Sequence, residues 1–94
     1  MTAPAPIEKP DLYVLARLLE RLWREDRPML RTHLQVAVNL NFDILTKYLG
    51  WMSERDWVEF QENDGHQLVS ITVRGREVYA KLVQVMNEVL RQDL

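Results

Sequence analysis

Between Ser53 and Thr72 the spacing of apolar residues switches from helical to alternating, and after Thr72 it switches back. A chain that changes period twice within 94 residues must combine helices with a short sheet, so the expected class is α+β. In "WVEFQ" Val58 and Phe60 fall on one side and Trp57, Glu59 and Gln61 on the other, as in a half-buried strand. Asn63-Asp64-Gly65 is a hairpin turn signal, and "QLVSIT" supplies a second β-rich run.

The helical stretches are bounded by their own punctuation. In "DLYVLARLLERLWRED" Leu12, Leu15, Leu18, Leu19 and Leu22 recur at helical spacing, Asp11 is placed to cap the helix, and Glu20 and Arg24 form an i,i+4 pair. Pro28 cannot lie deep in a helix, so "REDRP" ends the first and Pro28 suits the opening of a second over Met29 to Val38. Asn39 and Asn41 then flank Leu40. Asparagine caps helices and tolerates left-handed backbone, so one helix can stop and another start within three residues. In that third helix Phe42, Leu45, Tyr48, Leu49 and Met52 share a face, while Asn41, Asp43, Thr46, Lys47 and Gly50 fall largely outside it. Helix, short turn and helix make a helix-turn-helix, and two strands directly after it make a wing.

The last segment, from Val73, is helical, with Thr72 as cap and Glu77 and Lys81 as an i,i+4 pair. Its apolar positions span an arc of about 160°, wider than the usual stripe. One seam holds Val78, Leu82, Val85 and Val89; its neighbour holds Tyr79, Val83, Met86 and Leu90. The first helix can cover one seam. The second is expected to meet a partner chain, so a homodimer through Tyr79, Val83, Met86 and Leu90 is expected. The domain plan is a flexible arm over residues 1–10, a winged helix-turn-helix over 11–72 and a dimerisation helix over 73–94.

Composition narrows the function. At 47% hydrophobic and 28% charged, with 3 glycines, the chain is that of a folded soluble domain with a cytoplasmic location expected. Cysteine is absent, which removes disulfides, thiolate catalysis and Cys-based zinc sites. No apolar run is long enough to span a membrane, so no membrane partner is expected, and "MTAPAPIEKP" lacks the hydrophobic centre of a signal peptide. Net charge is −2, against the basic balance that phosphate neutralisation favours, so any DNA-binding face must depend on local potential.

The order of helix, helix, "NLN" turn, helix, hairpin and long terminal helix resembles small archaeal winged-helix DNA-binding proteins and predicted transcriptional regulators that dimerise through their last helix. The resemblance runs from about residue 11 to residue 91. It is carried by "NLNFDILTKYL", similar to the family's turn and recognition helix, and by "ITVRG", similar to its Leu-Thr-x-x-Gly signature where the wing enters the last helix. It implies binding of double-stranded DNA by a dimer, without a cofactor. The wing departs from the family in reading Glu62, Asn63, Asp64, Gly65 and His66 where Lys or Arg is common. Carboxylates near phosphates repel.

Candidate DNA contacts follow. Asn41, Thr46 and Lys47 are polar residues of the third helix; Asn suits adenine, Lys suits guanine or phosphate. Arg31 and Arg55 flank the helix-turn-helix, His66 sits at the wing tip, and Arg74 opens the last helix, where a cation opposes the helix dipole and calls for a partner. Read blandly, these residues are a helix cap, a solvated face and surface arginines. His33 and His66 lie far apart without the further ligands a metal needs. Glu25-Asp26 and Glu54-x-Asp56 fall in expected turns with no nucleophile beside them, Ser53 and Ser70 lack activating motifs, and there is no Gly-rich phosphate loop. Trp23, Trp51 and Trp57 fit core or interface positions. The expected function is thus a dimeric, non-catalytic transcriptional regulator reading DNA with its third helix. The alternative is a protein-interaction module of the same fold without DNA binding, which the acidic wing favours.

Overall fold

The computed structural model describes residue 7 and residues 9–91. Four helices and three strands follow in the order α1 (Leu12–Glu25), β1 (Met29–Leu30), α2 (Arg31–Val38), α3 (Phe42–Glu54), β2 (Val58–Asn63), β3 (His66–Ile71) and α4 (Val73–Leu90). Residues 1–6 and 8 of the expected arm, and residues 92–94 of the expected last helix, lie outside this range. Ile7 packs against the core.

Local chemistry sets most boundaries. The Asp11 carboxylate accepts from the Tyr13 and Val14 N–H groups, capping α1. Asn39 ends α2 in the left-handed region at φ 55°, and two residues later Asn41 opens α3 by accepting from the Ile44 N–H at 2.8 Å. The hairpin turns through Asp64 and Gly65 at φ 58° and 78°, pairing Asn63 with His66 and running in register to Val58 opposite Ile71. Two consecutive positive φ angles match the right-handed twist of the flanking strands.

Thr72 explains the "ITVRG" signature physically. Its hydroxyl caps α4 by accepting from the Gly75 N–H at 2.9 Å and donates to the Asp56 carbonyl at 2.5 Å, tying α4 to the turn after α3. Gly75 lies flush beneath that turn, where a Cβ would come 2.1 Å from the Trp57 carbonyl oxygen. Only glycine permits this approach.

The core is apolar throughout. Leu15, Leu18, Leu19 and Leu22 of α1 meet Leu34 and Val38 of α2, Leu45, Leu49 and Met52 of α3, and Met29, Val58, Val69 and Ile71 of the sheet. Tyr48 reaches the edge of this cluster and accepts from the Asp11 N–H at 2.9 Å.

Four expectations are corrected. Met29 and Leu30 do not begin the second helix; they form a short strand against Val69 and Leu68, so the sheet has three strands in the order β1-β3-β2. Extended pairing satisfies their backbone while Met29 enters the core, and Pro28 precedes this strand rather than a helix. Leu12 and Phe42, assigned to apolar faces, are 65% and 56% exposed, because each begins its helix beyond the reach of the core. Phe60 is 37% exposed although it pairs with the fully buried Val69, because β2 is an outer strand of the sheet. The seams of α4 divide across its length rather than along it: Val78, Tyr79 and Leu82 pack against the core, while Val85, Met86, Val89 and Leu90 are exposed.

Candidate nucleic-acid interface

α3 turns Leu45, Tyr48, Leu49 and Met52 inward. Placed at the helical angle per residue, Asp43, Lys47, Gly50 and Glu54 share the opposite side, with Thr46 and Phe42 flanking it. Asp43, Gly50 and Glu54 are exposed, and Thr46 and Lys47 half-buried. Lys47 makes no ion pair with Asp43 among the described residues, although the i,i+4 spacing allows one.

Arg31 organises one end of this surface. It is the first residue of α2, and its guanidinium donates to Gln67 Oε1 on β3 at 2.6 Å and to the Thr46 hydroxyl on α3. It also lies over the Phe42 ring, 4.7 Å from the centroid. One side chain thereby joins the second helix, the wing and the third helix. Burial lowers the Arg31 pKa from its ordinary value, and Nε has no hydrogen-bond partner among the described residues. The Thr46 hydroxyl is anchored too, donating to the Phe42 carbonyl at 2.8 Å. His66 shares with Arg31 a recess of about 170 Å3 between the start of α2 and the wing tip.

The structure thus joins Arg31 to Thr46 on α3 and places His66 beside Arg31 on the wing, with Asn41 capping α3 and Lys47 on it. Arg55 and Arg74 stand apart from that group. Arg55 follows the C-terminus of α3, roughly 20 Å from Asn41 along the helix by its rise per residue. It stacks on Trp51, 3.7 Å from the ring centroid, and donates to the Trp51 carbonyl. Arg74 pairs with Glu77 at 3.7 Å, in place of the expected Glu77–Lys81 pair, and Arg76 pairs with Asp26 at 3.2 Å, so both arginines that oppose the α4 dipole have acidic partners. Among the candidate contacts, Lys47 and His66 are the ones whose side chains make no hydrogen bond or ion pair within the described residues.

Sequence reasoning missed Gln67 and Phe42. Gln67 lies 36 residues from Arg31 in the chain, and no local pattern links them. Among the described residues no group of three His, Cys, Asp or Glu side chains is arranged to hold a metal ion, and no helix is long and apolar enough to cross a membrane.

The arrangement of three helices, an exposed third helix and an adjacent hairpin has a counterpart among known families: the family model described as winged helix-turn-helix matches residues 12–90. The chain belongs to the winged helix-turn-helix family. A search of curated proteins finds no match to the sequence. Among solved structures, this winged helix-turn-helix chain is similar to F93 from STIV, a winged-helix DNA-binding protein, at 10% identity and a TM-score of 0.81, covering 92% of this chain and 100% of that one. It is also similar to Sso10a-2, a DNA-binding protein from Sulfolobus solfataricus, at 14% identity and a TM-score of 0.71, covering 90% and 100%. The PcaV transcriptional regulator from Streptomyces coelicolor aligns at 18% identity with a TM-score of 0.72, covering 88% of this chain and 62% of that one. At these identities the likeness is one of fold.

A second surface of the winged helix-turn-helix lies between α1 and α4. Tyr13, Ala16 and Arg17 of α1 and Tyr79, Val83 and Met86 of α4 line a groove of about 190 Å3. Tyr79 stacks on Trp23 with centroids 5.6 Å apart; burial raises its pKa, Glu20 adds to the rise and Arg24 opposes it. Beyond the groove the exposed end of α4 presents Val85, Met86, Val89 and Leu90.

Proposed function

We propose that the protein is a dimeric transcriptional regulator that reads double-stranded DNA with α3. The observation that supports this reading best is the division of α3. Its apolar side is consumed by the core, while Asp43, Lys47 and Gly50 face outward beside the wing. A helix so placed can lie in the major groove with its N-terminal residues at base edges and the hairpin along the backbone. Lys47 and His66 are the first contacts in this reading, Asn41, Arg31 and Thr46 border them, and Arg55 and Arg74 meet phosphates at the periphery. No catalytic step is involved, and the site of action is the cytoplasm.

Dimerisation is proposed through the end of α4. Val85, Val89 and Leu90 are 55%, 63% and 79% exposed at one end of one helix, and clustered exposed apolar residues mark interaction surfaces. Pairing two such ends, with Tyr79 and Val83 continuing the contact, would hold the recognition helices at a set separation, and that separation would set the spacing of half-sites.

A second reading, a protein-interaction module of the same fold, is favoured by the exposed acidic residues Glu59, Glu62 and Asp64 on the wing. Gel-shift titrations at two salt concentrations separate the two. Counterion release makes DNA affinity fall steeply with salt, and Lys47→Ala should weaken binding and reduce the salt slope by about one per recognition helix engaged. Absence of any retarded band at low salt would favour the interaction module.

A further inference from the structure

Phe42 occupies the first turn of α3, where a helix laid in the major groove presents its side chains to base edges. More than half of it is exposed, although it opens an otherwise well-packed helix. Its position is nonetheless held. The Arg31 guanidinium backs one side of the ring at 4.7 Å, and that guanidinium is itself tied to Gln67 on the wing and Thr46 on α3. The result is an apolar surface of fixed location open to solvent. Polar readout around it is sparse: Lys47 is the sole cation of α3, Gly50 offers no side chain, and the Asn41 side-chain oxygen Oδ1 is engaged with the Ile44 N–H. Asp43 and Glu54 can only accept hydrogen bonds when ionised. The apolar group that a base pair displays in the major groove is the methyl at C5 of thymine, and phenylalanine is among the side chains that pack on it.

We propose that Phe42 is a specificity-determining residue whose ring packs on the C5 methyl of a pyrimidine in the major groove, with Arg31 as the residue that positions it. The proposal rests on the DNA-reading function given above. The methyl is common to thymine and 5-methylcytosine, so the recognised chemistry is a 5-methylpyrimidine.

The test uses the full chain and a duplex selected from a random pool. Each thymine of that duplex is replaced in turn by deoxyuridine, which lacks only the methyl, and binding is measured for the natural protein, Phe42→Ala and Phe42→Leu. At one position per half-site deoxyuridine should weaken the natural protein about fourfold, the worth of one buried methyl. There Phe42→Ala should bind both duplexes equally, and Phe42→Leu should keep part of the discrimination. A role limited to supporting the fold would lower affinity for both duplexes alike and leave the ratio unchanged. At the same position a 5-methylcytosine pair should bind more tightly than a cytosine pair. No discrimination against deoxyuridine by the natural protein at any position, full discrimination persisting in Phe42→Ala, or no gain from 5-methylcytosine each overturns the proposal. Retention of no duplex at any salt concentration overturns the DNA-reading function itself, and the proposal with it.

Discussion

The same substitution, glycine to alanine inside a helix, should have opposite effects at Gly50 and Gly75. In a helix interior alanine is favoured over glycine by about 1 kcal/mol, because glycine loses more backbone freedom on folding. At Gly50 a Cβ would meet nothing within 4 Å, so Gly50→Ala should gain that amount in full. For a domain of this size the gain corresponds to a rise in Tm of roughly 4–8 °C. At Gly75 the added carbon would stand 2.1 Å from the Trp57 carbonyl oxygen and 2.7 Å from Ile71 Cγ1. That oxygen belongs to the backbone and also accepts from the Thr72 N–H at 3.0 Å, so it cannot swing aside as a flexible side chain would. Relief requires the start of α4 to lift by roughly 1 Å, and because the clash is with backbone the overpacking cost lies at the upper end of about 1–3 kcal/mol or above it, which exceeds the propensity gain. Thermal unfolding followed by far-UV circular dichroism, with all proteins at one concentration because self-association shifts Tm, measures both. If the two variants move Tm in the same direction, the account of how α4 seats on the turn before β2 is wrong.

Thr72→Ala removes both the cap of α4 and its tie to the Asp56 carbonyl and should cost about 1–2 kcal/mol in denaturant unfolding, with Thr72→Ser recovering most of it. Leu34→Ala, at a position with no exposure, should cost about 2–5 kcal/mol through lost transfer energy and the cavity left behind, read as a lower midpoint at unchanged slope. Met86→Glu places a charge beside Val85, Val89 and Leu90, so light scattering should report a monomer, whereas a natural protein that is already monomeric at micromolar concentration would remove the proposed α4 interface.

The parts of this protein legible in sequence are those decided within a few residues along the chain. Asp11, Asn41 and Thr72 cap helices by hydrogen bonds to N–H groups two or three residues ahead, Asn39 turns the backbone left-handed, and Asp64-Gly65 close a hairpin by their own φ angles. The alternation around Val58 marks a strand because successive side chains must point to opposite faces. Each of these constraints acts over a distance shorter than one helical turn or one hairpin loop, so local residue types suffice, and together they specify a winged helix-turn-helix.

Tertiary structure decided what depends on partners far away in the chain. Met29 and Leu30 become a strand because β3, some forty residues later, offers its second edge. Phe42 and Leu12 are apolar at the right spacing, yet whether a helix end reaches the core depends on where neighbouring helices stop. The seams of α4 looked lengthwise from periodicity; the length of α1 cuts across them instead and leaves the last turns of α4 bare. Arg31 reads as a surface arginine until the fold sets Gln67, Thr46 and Phe42 around it. Periodicity gives the direction in which a side chain points, but only the packed molecule supplies what it meets there.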